Sequence, residues 1–262
     1  MGSGAETSIR TEEDPAPGRE ERMSATEARF TWLGHATVRV DLAGGEVMVV
    51  DPWMEGNPSS PPGAGELERL DLILVTHAHG DHLGDVVRLA RRHGAPVVAT
   101  YDLGEWFASQ GVEDVRGMNL GGSQRLLGAR VTQVRADHSS GFLSGDKSVY
   151  GGVASGYVVR LADGFTFYHA GDTALFSDMR LIGELYQPQL AFLPIGDLYT
   201  MDPEQAAHAA RLLGCRWVVP IHWGTFTALS GRPGELRDHL VALESAIEVV
   251  ALSPGDSWSP PD

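Results

Sequence analysis

The chain has 262 residues, 42% of them hydrophobic, enough to bury the core of one large domain, which excludes disorder throughout. Its formal charge of -15, from 35 acids against 20 bases, argues against non-specific nucleic-acid binding. The single cysteine, Cys215, excludes an internal disulfide framework and a thiolate-cluster metal site, so a bound metal would need N and O donors, and ten histidines are available.

Residues 1–28 carry seven acids, three arginines and no aromatic side chain, and read as a disordered acidic tail, with Met23 as an alternative start. A single domain is expected over 29–262. From Arg29 onward short β-type runs bounded by Gly, Asp and Pro predict strands at 30–33, 37–42, 46–50 and 71–75. A histidine cluster follows. It leads into a helical stretch with Leu83, Val86, Val87 and Leu89 on one face and Arg88, Arg91 and Arg92 on the other, ended by Gly94. Next come a strand at 97–99, a short helix at 102–110 and a strand at 130–135 that runs into His138. The second half repeats the order, with strands at 156–161, 165–168, 190–195, 217–221 and 248–252, and helices at 176–186, 203–213 and 234–246. Two sheets packed face to face with helices outside, a four-layer αββα sandwich of the α/β (α+β) class, is the economical architecture. No apolar run approaches the roughly 18 residues of a membrane span, and no secretory h-region is present, so a cytoplasmic protein is expected.

The densest chemistry lies in Thr76-His77-Ala78-His79-Gly80-Asp81-His82, four potential ligands directly after a predicted strand. In an extended X-His-X-His segment alternate side chains point the same way, so His77 and His79 can chelate one ion. The turn into the following helix redirects Asp81 and His82 toward a second ion, and Gly80 supplies the backbone freedom for that bend.

These residues resemble the metallo-β-lactamase fold hydrolases, whose signature is His-X-His-X-Asp-His. The other motifs of that fold follow in order: Val49-Val50-Asp51-Pro52, Ala136-Asp137-His138-Ser139, Tyr168-His169-Ala170-Gly171-Asp172-Thr173 and Pro220-Ile221-His222. Within the superfamily, Thr31-Trp32-Leu33-Gly34-His35-Ala36, Gly117 through Gly122, His169 through Thr173 and Leu175 through Met179 resemble the small bacterial metal-dependent hydrolases called UPF0173. That group is similar to the ascorbate-phosphate lactonase and N-acylphosphatidylethanolamine phospholipase D branches. The resemblance covers roughly residues 29–256. It breaks at Gly196-Asp197-Leu198 and Trp223-Gly224-Thr225, where a second Gly and a Tyr-Asn pair are expected. Those loops would line the substrate pocket.

The resemblance implies two divalent metal ions. His77, His79 and His138 would hold one, Asp81, His82 and His222 the other, with Asp172 bridging. Imidazole suits Zn and Fe, a carboxylate can span two cations, and Mn or Ni would also accept this donor set. Two such ions can lower the pKa of a shared water toward about 7, supply a bridging hydroxide at neutral pH and polarise the scissile bond. Asp81, Asp172 and His35 are the expected catalytic residues, with His35 a general acid or substrate contact. Asp51 would accept a hydrogen bond from a ligand histidine and fix its tautomer, and His169 would play a similar supporting part. Lys147, the only lysine, is a candidate grip for an anionic substrate or simply a solvated loop residue. Trp53, Met54, Met118, Tyr199 and Trp223 flank the motifs and would form either an apolar pocket or core packing. No function is assigned to His93, His208 or His239.

The expected function is a dinuclear hydrolase acting on an ester, lactone or phosphoester bond of a small molecule, with no nucleic-acid partner and no membrane span; a homo-oligomer is compatible with it. A secreted β-lactamase would need an export signal and commonly a Cys ligand, a flavodiiron enzyme carries Glu at the position of His79 and a flavodoxin domain, and a tRNA nuclease would need a basic arm. Two alternatives remain: an iron-dependent oxidoreductase on the same ligands, and a metal-stabilised binding protein without turnover.

Overall fold

The computed structural model describes residues 27–261; the predicted tail up to residue 26 and the alternative start at Met23 lie outside them. The packed chain reaches back to Ala28, which is buried and whose carbonyl accepts a hydrogen bond from the Ser259 hydroxyl at 3.0 Å. Strands β1 (Arg29–Trp32), β2 (Val38–Asp41), β3 (Val47–Val50) and β4 (Leu72–Leu74) lead to helices α1 (Gly80–Leu83) and α2 (Val86–His93). Strand β5 (Val97–Thr100), helix α3 (Tyr101–Ser109) and strand β6 (Val115–Met118) complete the first half. The second half opens with β7 (Ser123–Leu126), β8 (Ala129–Arg135), the hairpin β9 (Gly141–Ser144) and β10 (Lys147–Tyr150), then β11 (Ser155–Arg160) and β12 (Thr166–His169). It continues with α4 (Met179–Tyr186), β13 (Leu190–Pro194), α5 (Pro203–Leu213), β14 (Trp217–Ile221), α6 (Pro233–Ala242), β15 (Glu248–Val249) and β16 (Ser257–Trp258).

Fourteen strands form two seven-stranded sheets, ordered β16-β1-β2-β3-β4-β5-β6 and β15-β14-β13-β12-β11-β8-β7, while β9 and β10 pair only with each other. Each begins antiparallel and becomes parallel, the first from β3 to β6 and the second from β12 to β15. The inner faces meet in one core, where Phe30, Val38 and Met48 of the first sheet pack with Tyr157, Phe167, Phe192 and Trp217 of the second. Phe30 is its hub, with ring centroids 5.3 Å from Phe167 and 5.9 Å from both Phe165 and Phe192. Full burial of such a side chain is worth roughly 1.5–3 kcal/mol. Leu89, Leu103 and Phe107 of α2 and α3 cover the outer face of the first sheet, and Met179, Ala206, Ala210 and Leu236 of α4 to α6 that of the second. The four-layer αββα sandwich is therefore present as predicted.

Departures from the predicted elements have local causes. The helix after the histidine cluster is two pieces, α1 and α2, because the Asp85 carboxylate turns back to accept the amide hydrogens of Met54 and Glu55. Helix α4 starts at Met179, since 176–178 form a turn closed by the Met179 amide on the Phe176 carbonyl. The predicted helix 234–246 stops at Ala242 before Glu244, whose φ is 53°. The strand predicted over 248–252 shrinks to two residues, and the glycine-rich segment carrying Lys147 is the hairpin β9–β10, with Lys147 exposed. Among the described residues no helix is long and apolar enough to cross a membrane.

Candidate metal centre

The chain ends of β3, β4, β8, β12 and β14, together with the β1–β2 turn, carry Asp51 and the eight candidate ligand residues. After β4 the backbone stays extended through His79, tied down from both halves of the molecule. The Thr76 amide donates to Asp51 Oδ1 at 2.8 Å, the Ser155 amide donates to the Thr76 carbonyl at 3.1 Å, and the Ala78 amide donates to Ser140 Oγ at 3.2 Å. Tyr157, from the opposite sheet, donates its hydroxyl to the Val75 carbonyl at 2.8 Å. Bare backbone polar groups at this depth would be costly, so these bonds fix where His77 and His79 point.

Two clusters result. His77, His79, His138 and Asp172 offer ligand atoms within 4.8 Å of one another, and so do His35, Asp81, His82 and His222. In the first, His77 Nε2 lies 2.9 Å and His138 Nε2 3.3 Å from His79 Nδ1, while Asp172 Oδ2 is 3.9 Å from His77 Nε2 and 3.7 Å from His138 Nε2. The same Asp172 Oδ2 is 3.3 Å from His82 Nε2 and 3.1 Å from His222 Nε2, so one carboxylate oxygen touches both groups. Donors about 2.1 Å from one tetrahedral ion stand about 3.4 Å apart, the middle of this range.

The donor set also fits a cation by its unmet needs. Asp172 is buried, and its Oδ1 has no hydrogen-bond partner; buried His82 Nε2 is equally without one. A buried carboxylate with an idle oxygen is costly unless positive charge sits beside it. Burial pulls the Asp172 pKa up, but His222 and His82 hold it well below the usual carboxylate range. Burial pulls His82 down, yet Asp172 and Asp51 on either side raise it well above the imidazole range. His77, His79 and His138 are all shifted down, first by burial, which leaves neutral rings with a lone pair to give.

Proton direction can be traced. Thr76 Oγ1 donates to Asp51 Oδ2 at 2.7 Å, so its lone pair accepts from His77 Nδ1 at 3.0 Å and His77 presents a bare Nε2 to the cluster. His82 Nδ1 donates to the same Asp51 oxygen at 2.8 Å, so once a cation replaces the second proton of the ring, Nε2 is the nitrogen left to face it. His79 turns Nδ1 inward and meets Ser139 Oγ with Nε2 at 3.3 Å. His169 supports the site through backbone alone, donating from Nε2 to the Ala36 carbonyl at 3.0 Å and accepting the Gly171 amide at 3.2 Å, next to Asp172. Asp51, His35 and His222 adopt φ of 48°, 53° and 54°, backbone strain concentrated at this edge.

His35 is fully buried, with Nε2 3.1 Å from Asp81 Oδ2 and Nδ1 3.0 Å from Thr225 Oγ1, so it meets Asp81 rather than open solvent. Burial lowers its pKa to about 4 despite the Asp81 hydrogen bond. Met54 and Met118 belong to the cores, whereas Trp53 packs edge-on against His35 at 5.1 Å. Trp223 stacks on Trp32 at 5.5 Å, and Tyr199 is exposed after the left-handed pair Asp197 and Leu198. Phe226, not anticipated from the sequence, is exposed and lies 6.0 Å from Trp53 and 5.9 Å from His35, an aromatic rim over that side of the centre. Its proximity to the divergent Trp223-Gly224-Thr225 loop is the one hint the sequence held. His93, His208 and His239 lie on α2, α5 and α6, outside both clusters.

Comparison with known proteins agrees with this fold. The profile described as "Beta-lactamase superfamily domain" matches residues 47–223. A UPF0173 metal-dependent hydrolase of Koribacter versatilis is 46% identical over 237 residues, 90% of this chain and 100% of that protein. One of Solibacter usitatus is 50% identical over 226 residues, 86% of this chain and 97% of the relative. The solved structure of Igni18, described as a novel metallo hydrolase from Ignicoccus hospitalis KIN4/I, superposes with a TM-score of 0.79 at 34% identity, covering 90% of this chain and 99% of that one.

Proposed function

This chain belongs to the UPF0173 metal-dependent hydrolases of the beta-lactamase superfamily, and we propose that it holds two divalent cations and hydrolyses an ester, lactone or phosphoester bond of a small molecule. The observation that carries the dinuclear reading is Asp172, a buried carboxylate within 4 Å of four imidazole nitrogens drawn from both clusters, with one oxygen idle. His77, His79, His138 and Asp172 would hold one cation; Asp81, His82, His222 and Asp172 the other. Bound there, divalent cations supply Lewis acidity, which acidifies a water and polarises the oxygen of the bond to be cleaved. The protein's own part is orientation. Asp51 sets the tautomers of His77 and His82, Thr76 relays between them, and the bonds from Ser140 and Ser155 hold the strand end still. Asp81, about a third exposed, is the carboxylate of the set open to solvent. Zn, Mn, Fe and Ni all accept such N and O donors.

Elemental analysis of the natively purified protein, coupled to a panel of lactones, carboxylic esters, phosphomonoesters and phosphodiesters, tests the reading. Close to two cations per chain are expected, with hydrolysis that stops on chelation and returns on re-addition. Full activity in metal-free protein, or oxygen uptake in place of hydrolysis, would overturn it.

A further inference from the structure

The outer face of the second sheet carries a row of like charges far from the metal centre. Arg125 of β7 lies directly opposite Arg130 of β8, and Arg130 opposite Arg160 of β11, so three arginines stand side by side across neighbouring strands. Residues paired in this way share one face of a sheet. Val131 and Val159, one position along, belong to the core between the sheets, so the arginines point the other way, to the outside. All three are exposed. Arg130 precedes His138 by eight positions of largely extended chain, which puts the row roughly 25 Å from the candidate ligands.

Like charges in register repel, and such a row costs stability unless an anion lies among them. Several arginines elsewhere are met by nearby acids, Arg39 by Asp41, Arg88 by Asp85 and Arg116 by Asp114. Among the described residues Arg125 and Arg130 have no such partner. The row opens onto a groove of about 1140 Å³, bounded by the Leu185 and Tyr186 end of α4 and by the β11–β12 turn. One carboxylate lines it, that of Asp163, and its Oδ1 already accepts the Phe165 amide at 2.9 Å. Three guanidinium groups against one carboxylate leave the groove positive in a chain of formal charge -15. Charges more than about 8 Å away are largely screened at physiological salt, so the arginines set the local field.

We propose that this groove binds a small molecule carrying a chain of two or three linked phosphates. A guanidinium presents two parallel N–H donors that match a pair of phosphate oxygens, and it keeps its charge at any physiological pH. Neighbouring strands stand about 4.8 Å apart, so the row spans about 10 Å, more than one phosphate covers and close to the reach of linked ones. A free oligophosphate and a nucleotide share that chemistry. The exposed Leu185 and the Tyr186 ring beside the groove would meet the base of the second. Binding here is independent of the reaction at the metal centre.

Calorimetric titration of the natively purified protein with tripolyphosphate, ATP and orthophosphate tests this. One equivalent of a linked phosphate is expected to bind at least about 10-fold tighter than orthophosphate, with an affinity that falls as salt rises. Arg130→Gln, in the middle of the row, should weaken it at least about 10-fold, and Arg125→Gln should do the same if Arg130→Gln does not fold. Either variant should keep the metal content and the hydrolysis of the wild type, which separates this groove from phosphate held by cations. ATP binding tighter than tripolyphosphate would support the proposal with a nucleotide as ligand, and equal affinity would support it with a free oligophosphate. Wild-type affinity in both variants would place the phosphates elsewhere and overturn the assignment. No saturable binding of tripolyphosphate or ATP would overturn it too, and so would an oligonucleotide that binds more tightly than either.

Discussion

At Asp51 one carboxylate sets two ligands in two clusters. Its Oδ1 takes the Thr76 amide, and its Oδ2 takes both the Thr76 hydroxyl and His82 Nδ1, so a single buried side chain dictates which nitrogen of His77 and of His82 faces inward. Asp51→Asn would set an amide NH2 either against the Thr76 amide or against the Thr76 hydroxyl and His82 Nδ1, donor against donor, so the Thr76 backbone or a ring tautomer would have to give way. Competition with a chromophoric chelator should show 10- to 100-fold weaker metal binding in Asp51→Asn, with near-native secondary structure. Unchanged affinity would mean that Asp51 serves folding only. The spacing of His77, His79, Asp81 and His82 is legible in sequence because extended chain and helix start have fixed side-chain directions. That Asp51 would reach two of them is not, because it depends on the register of β3 beside β4, with Val50 opposite Leu74.

Among the elements, those with strong local signals are the ones the sequence announces. Helix α5 runs over the predicted Pro203–Leu213, with Pro203 in its first turn, Gly214 left-handed at its end and Asp202 accepting the Gln205 amide at 2.7 Å. Asp202→Ala should cost about 1 kcal/mol in urea unfolding and leave the metal content unchanged, since the cap lies outside both clusters. A larger loss, or a loss of metal, would show that α5 bears on the centre. Strands β6, β7, β9, β10 and β16 went unpredicted for a shared reason. Each has four residues or fewer, several are exposed, and their partners are chosen by the tertiary fold rather than by local pattern. His35 illustrates the same limit at the site. Its motif already marks His35 as a general acid or substrate contact, but its partners, Thr225 190 positions away and Asp81, are set by the tertiary fold.

Across the whole molecule the candidate ligands are shared between halves: His35, His77, His79, Asp81 and His82 precede β7, while His138, Asp172 and His222 follow it. Cations that bind only the folded arrangement stabilise it by mass action. The melting temperature should fall on chelation and rise with free metal, each tenfold increase above the dissociation constant adding about 1.4 kcal/mol per site. A melting temperature indifferent to metal would mean that the clusters do not bind it in the folded state. The formal charge of -15 is no guide to the substrate, because the field at the centre is set by the cations and their carboxylates rather than by the distant surface.

Strand β16 pairs with β1, joining Thr31 to Ser257 across 226 positions, and the Trp32 amide and carbonyl are bonded to Asp256 and Gly255. Trp32 in turn donates its indole hydrogen to the His35 carbonyl at 2.9 Å, and that carbonyl also takes the His222 amide. During translation β1 therefore emerges long before the partner that completes its sheet edge, and the turn carrying His35 is braced only once residues 222 and 255–258 have left the ribosome. The centre should mature after synthesis, so a ribosome-stalled chain ending before residue 255 is expected to gain protease resistance in α2 and α3 without holding its full complement of metal.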